Sequence, residues 1–346
     1  MSRSICLPLT DPIVDVHSLH SFVQSIILTQ EQMLNWVYAN YIHLFAIPDK
    51  TADFIHFATS SRPQDIPNLF LSRLHRDQVN RWFPDIRGFV LDCLEQGYYF
   101  STLVNEFYIP GTSAFQTYDY PHHVMFYGYD AEQDALLAAG YFSSPPKFAK
   151  ERQVPLALFE KAFKTVGQDV TSMNGTVELI RFPYRDRPYG IRPELSPRHL
   201  ARALEDYVLS RKTEVPAIPN FNLGIDLNQS ELVFGIGIYR LLTDRLRTQT
   251  ETGASLHMKT FQTLLNHKTV MLRRIRHLLD IGYIEDREAY SRYQDVWKDV
   301  RILHHLYLKN SVKFNKKNLD FMTELLKKIE INEKSELSRI GDMLIR

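Results

Sequence analysis

Residues 121–130 read PHHVMFYGYD, two imidazoles at the mouth of a hydrophobic run that ends in Gly-Tyr-Asp. Val, Met, Phe and Tyr in succession predict a strand, and the two-residue period turns His122 and His123 to opposite faces of it. An imidazole can take and return a proton near neutral pH, so a histidine at the end of a strand is a candidate general base. Counting back from Gly-Tyr-Asp selects His122 for that role and leaves His123 packed or solvated. Glu106, on the preceding stretch GYYFSTLVNEFYIP, is a candidate to orient the His122 ring. The other reading of His122 is a strand-end histidine bonded to a backbone carbonyl.

A base needs something to act on. The first helical pattern opens DVHSLHSF, and its apolar residues Leu19, Phe22, Val23, Ile26 and Ile27 recur at helical spacing. A nucleophile at a helix start is favoured by the helix dipole. Ser18 or Ser21 could attack if a base activates it. Serine at a helix start is far more often the residue that caps the helix. His17 and His20 lie three apart on one helical face, a spacing that can hold zinc, with His122 as a third imidazole. With 13 histidines in the chain such pairs arise by chance, and no metal is assigned. Cys93 sits in FVLDCLEQ and reads as a small core hydrophobe, and Cys6 has no motif around it.

The elements that must position these residues form three textures. Residues 1–110 begin with helices, one near 17–28, a second over 30–45 and a third around 84–95 that stops at Gly97. A strand is expected at FIHFATS. Residues 97–190 are rich in strands. HHVMFYGYD and DALLAAGYF form an antiparallel hairpin, TVELIRFPY is another strand, and PLALFEKAFKTV is a short amphipathic helix. From about 195 the chain is helical, opened by Ser-Pro in SPRHLARALEDYV and interrupted by a loop at 216–229. The fold class is therefore α+β.

HHVMFYGYD followed by DALLAAGYF resembles a pattern found in papain-like proteins of the butirosin biosynthesis protein H type. It is also similar to the peptidase domains of bacteriocin-processing transporters. GYYFSTLVNEFYIPGTSAFQ, SLHSFVQSI and NWVYANYIHLF look like relatives of that type encoded beside nonribosomal-peptide and other natural-product clusters. FGIGIYRLL and LLNHKTVMLRRI look like the helical second half of those relatives. The resemblance implies a papain-like α+β domain over residues 1–192, an N-terminal helix plus antiparallel sheet, and a helical domain over 193–346.

Family members carry a Cys at the head of the first helix, the His, and usually an Asp at the end of the next strand. Here only His122 matches. His17 or Ser18 stands in place of the Cys, and Gly140 or Tyr141 in place of the Asp. The implied activity is acyl transfer, or amide or thioester bond chemistry, in natural-product biosynthesis. His122 would be the base, and Ser18 or a substrate thiol or amine the attacking group. Backbone N–H groups at the first helix would hold the oxyanion. The alternative is an inactive relative kept as a binding module in a biosynthetic assembly. The implied partners are an acyl- or peptidyl-carrier protein and a small acyl substrate, and no cofactor is needed.

Bulk properties agree with a folded protein. The 346 residues are 44 % hydrophobic and 23 % charged, with a net charge of +1. No whole-molecule field attracts nucleic acid. No apolar run reaches the roughly 18 residues of a membrane span, and a cytoplasmic location is expected. NHKTVMLRRIRH (266–277) is locally basic. It reads as a solvated helix face, or as a contact for a phosphate-bearing partner such as a phosphopantetheine arm. The glycines of FGIGIY do not complete a phosphate loop or a dinucleotide fingerprint.

Overall fold

The computed structural model describes residues 3–48, 55–59, 66–143, 147–166, 175–183, 193–212, 232–252 and 256–345. The loop expected at 216–229 lies outside the described residues. Helices and antiparallel sheets combine in an α+β fold whose C-terminal part is helical. The chain forms two compact units, residues 1–33 with 61–192, and residues 34–60 with 193–346.

In the first unit, β1 (Ile5–Cys6) precedes α1 (Ser18–Ile27). Every residue of α1 from His20 to Ile27 is buried, polar and apolar alike. Its buried Gln24 earns that position: Oε1 accepts the backbone N–H of Ile13 at 3.0 Å and of Val14 at 2.9 Å, tying the N-terminal segment to the helix. After α2 (Met33–Asn40), β2 (Leu44–Ala46) and β3 (Ile55–Phe57) comes β4 (Phe70–His75), then α3 (Arg76–Trp82) and α4 (Ile86–Glu95). The Asp85 side chain caps α4 by accepting from the N–H groups of Arg87 and Gly88. Gly97, at φ +81°, ends that helix with a backbone conformation that suits glycine.

Next come β5 (Tyr99–Asn105), a 3-10 turn at Glu106–Tyr108, β6 (Pro121–Asp130), β7 (Ala135–Phe142), β8 (Lys147–Pro155), α5 (Leu156–Lys164) and β9 (Thr176–Arg181). The sheet runs β4-β9-β5-β6-β7-β8, antiparallel throughout. β1 pairs with β6 at Gly128 and Tyr129, beyond the last β5 partner at Phe126. One core joins Val90 and Leu94 of α4, Phe159 and Phe163 of α5, and Phe100, Val104, Val124, Phe126 and Val177 of the sheet. At roughly 25 cal/mol per Å² of apolar surface, burial of this kind is the main stabilising force.

The second unit contains α2 and a small antiparallel sheet, β10 (Val233–Phe234) on β2 on β3. Its helices continue with α6 (Pro197–Val208), α7 (Ile238–Thr252), α8 (Lys259–Asp280), α9 (Glu288–Val312) and α10 (Lys316–Ile345). Ser196 caps α6 by accepting the His199 N–H at 3.3 Å. Residues 34–60 belong here, although the sequence division at 192/193 keeps them with the N-terminal part. The reason is pairing: β2 hydrogen-bonds to β10, and Arg274 donates to the carbonyls of Tyr38 at 2.7 Å and Tyr41 at 2.8 Å. The helix expected over 30–45 stops at Asn40 because the following residues enter that sheet.

The basic stretch 266–277 is not a uniformly solvated face. Lys268 and Arg274 are completely buried, and only Arg273 and Arg276 point outward. Lys268 Nζ lies 2.7 and 2.8 Å from the two carboxylate oxygens of Glu333, and the hydroxyls of Tyr239 and Tyr293 donate to the same carboxylate.

Candidate functional site

β6 carries the histidines. Its register sets His122 beside Val104 and His123 beside Leu103 of β5. β5 ends at Asn105, whose side-chain oxygen accepts from the N–H groups of Phe107 and Tyr120, both at 3.1 Å. That Asn turns the chain sharply and places Glu106 at the head of the 3-10 turn. Oε1 of Glu106 is 2.7 Å from Nδ1 of His122. The carboxylate is 5 % exposed and the imidazole 31 % exposed. An ionised carboxylate only accepts, so Nδ1 carries the proton and donates. In the neutral ring Nε2 is then left with a lone pair, and among the described residues it makes no hydrogen bond.

Two tyrosines flank this ring. The Tyr120 ring centroid lies 5.6 Å from it and that of Tyr141 5.9 Å. Tyr141 donates to the Asp15 carbonyl at 2.6 Å, and its oxygen is 3.1 Å from Ser21 Oγ. A tyrosine has one hydroxyl proton, so with that proton on Asp15 it is Ser21 that donates to Tyr141. Burial raises the Tyr141 hydroxyl well above its ordinary range, with Asp15 adding to the effect and the Ser21 bond opposing it. It stays protonated and cannot serve as a base for Ser21. Ser21 therefore fixes Tyr141 rather than acting as a nucleophile.

Tyr141 thus links the His122 ring to the first turn of α1. Ser18 is the first residue of that helix and not its cap; His17 is the capping residue, in extended conformation, without a side-chain cap bond. Among the described residues no hydrogen bond joins the Ser18 side chain to His122. Glu106 and His122 are brought together; His17 and Ser18 stand at the helix start as expected, without contacting the imidazole through a hydrogen bond. Tyr120 escaped sequence reasoning, although its place two residues before His122 marks it as a neighbour on the same side of an extended segment.

His123 differs from its neighbour. Among the described residues its Nε2 is buried without a hydrogen-bond partner, and its pKa is lowered to about 4 by burial, then by His122 and Arg76. A half-buried ring kept neutral by desolvation is a packing residue. Cys93 is 6 % exposed, and burial pushes its thiol up to about 12, which removes it as a nucleophile. The His17 and His20 rings are 6.4 Å apart between centroids, and no group of three His, Cys, Asp or Glu fit to hold a metal occurs among the described residues.

The Gly-Tyr-Asp at the end of β6 has a structural explanation. A Cβ on Gly128 would come within 2.6 Å of the Ile5 carbonyl oxygen and 2.9 Å of Leu137 Cδ1, so the glycine admits β1 and a register shift against β7. The Tyr129 hydroxyl donates to Asp134 at 2.8 Å, and Asp130 accepts from the N–H groups of Glu132 and Gln133. These bonds build the hairpin turn.

No protein family matches the chain, and no curated protein does either. No helix of the described residues is long and apolar enough to cross a membrane.

Proposed function

We propose that the first unit is an acid–base site in which His122, oriented by Glu106, takes a proton from a nucleophile brought by the substrate. The observation that carries this reading is the 2.7 Å contact between a buried carboxylate and a part-exposed imidazole whose outer nitrogen makes no hydrogen bond among the described residues. A third group that fixes the base's tautomer is the arrangement nucleophilic acyl transfer requires.

The reaction class is transfer of an acyl group from a thioester to an amine, or cleavage of an amide or thioester. His122 removes the proton of the attacking amine, thiol or water as that atom bonds to the acyl carbon. It then returns the proton to the departing thiol or amine. Ser18 is the less favoured nucleophile, because no hydrogen bond places its hydroxyl on the imidazole. The acyl donor is a carrier-protein thioester and the setting natural-product biosynthesis, supported by the resemblance of the β6–β7 hairpin to the butirosin biosynthesis protein H type.

The missing nucleophile favours a second reading, a binding module that holds an acyl intermediate without turning it over. One experiment separates them. The full chain is incubated with the acetyl thioester of N-acetylcysteamine and a panel of primary amines, and thiol release is followed. The acid–base reading expects release above background that His122→Ala abolishes while the fold is retained. Equal rates for the wild type and His122→Ala would leave only the binding role.

A further inference from the structure

Arg273 and Arg276 lie three residues apart on the outer face of α8 and open onto a cleft of about 460 Å³ within the second unit. That is the size of a small-molecule site. Neither guanidinium forms an ion pair among the described residues, and neither does Asp280, the one carboxylate on the cleft. Two cations therefore face one anion, and the site carries a positive excess.

The walls are fixed rather than adaptable. The Arg276 guanidinium stacks 3.9 Å from the centre of the Tyr290 ring. Stacking holds the guanidinium without neutralising it or using its N–H groups, so the fork stays available for a planar or tetrahedral oxyanion. Trp297, which also lines the cleft, donates its indole N–H to Thr269 Oγ1 at 3.0 Å, which fixes the ring. His277 Nε2 is 3.0 Å from Asn35 Oδ1. The Asn35 amide is itself oriented by its donation to the Pro193 carbonyl at 3.0 Å, so His277 is the donor in that pair. Leu34 and Leu272 supply apolar surface to the same cleft.

From this geometry we infer a binding site for a small, soluble phosphate monoester, with the phosphoryl group on Arg273 and Arg276 and its organic part against Trp297 and the leucines. Paired arginines suit a dianion bearing several acceptor oxygens, because charge-assisted N–H···O bonds can form to more than one of them. The cleft exceeds what a bare phosphate would fill, and its apolar surface calls for an attached organic group. The inference is independent of the acid–base site.

Isothermal titration of the full chain with adenosine 5′-monophosphate, glucose 6-phosphate and inorganic phosphate tests it, with adenosine as the uncharged control. At least one ester should bind more tightly than inorganic phosphate, and adenosine should not bind. Arg273→Ala and Arg276→Ala, both surface changes, should each weaken that ester at least tenfold. Arg276→Lys should restore only part of the loss, and raised salt should weaken binding. Absence of binding by both esters, or affinities unchanged in the arginine variants, would overturn the site. Vesicles containing phosphatidic acid form a further arm: binding to them that neither ester displaces would overturn the assignment to a soluble ligand.

Discussion

Glu106 encloses its carboxylate almost completely and offers one oxygen, at 2.7 Å, to Nδ1 of an imidazole that remains open to solvent. The pair follows from the connection over residues 106–120 that returns the chain from β5 to β6, whose two ends the Asn105 side chain holds by accepting from the N–H groups of Phe107 and Tyr120. Glu106→Gln keeps the shape but replaces an obligatory acceptor by an amide that can also donate. Thioester turnover should fall on the order of 10²-fold, within the range general-base catalysis supplies. Steady-state rates alongside unchanged thermal unfolding check this.

Lys268 and Glu333 are both fully buried, and their charges meet in the second unit. Burial pushes the Lys268 ammonium below its ordinary value while Glu333 pulls the other way. Glu333→Gln removes the counter-charge and weakens the acceptor used by Tyr239 and Tyr293, so the loss should be about 3–5 kcal/mol. The double variant Lys268→Met with Glu333→Gln should lose less than the sum of the two single changes, because the pair is coupled. Denaturant titration of the four proteins measures the difference.

Acid should destabilise both units. His123 in the first and His43 in the second are lowered to about 4, in each case chiefly by burial. His267, fully buried, is lowered as well, by burial and then Lys268. The unfolded imidazoles accept protons near pH 6.5, before the folded ones do. Stability is thus complete above 6.5 and declines as the pH falls from there toward 4, by about 1.4 kcal/mol per pH unit per histidine. His123→Leu, which also removes a buried nitrogen without a partner, should flatten this decline for the first unit. Calorimetric unfolding at pH 7.5, 5.5 and 4.5 reads both effects.

Gly128→Ala would force its new methyl group into the Ile5 carbonyl. Displacement of β1 should cost about 1–3 kcal/mol, a typical overpacking penalty. Faster hydrogen exchange at Leu7, whose N–H donates to the Tyr127 carbonyl at 2.8 Å, would locate the damage; unchanged exchange there would argue against the close approach.

Much of this architecture was legible in the sequence where the signal is local. The β6–β7 hairpin, α4 with its Gly97 stop, and the Ser196-Pro197 start of α6 all follow from turn and capping chemistry. The contacts that define the site are less local. Glu106 and His122 are 16 residues apart, and the pairing could be suggested but its geometry depends on how Asn105 turns the chain. The burial of Lys268 was illegible, because its partner Glu333 is 65 residues away and a lysine among arginines reads as surface. The placing of residues 34–60 depends on strand pairing with Val233 and Phe234, which no local pattern encodes.

The acid–base role of His122 requires that Nδ1 hold the proton when the ring is neutral. Nitrogen-15 NMR of the imidazole, with His122→Asn to assign the signals, measures it directly. The wild type should show a protonated Nδ1 and a bare Nε2, and Glu106→Gln should lose that preference. A proton resident on Nε2, or a preference indifferent to the Glu106 change, would contradict that role.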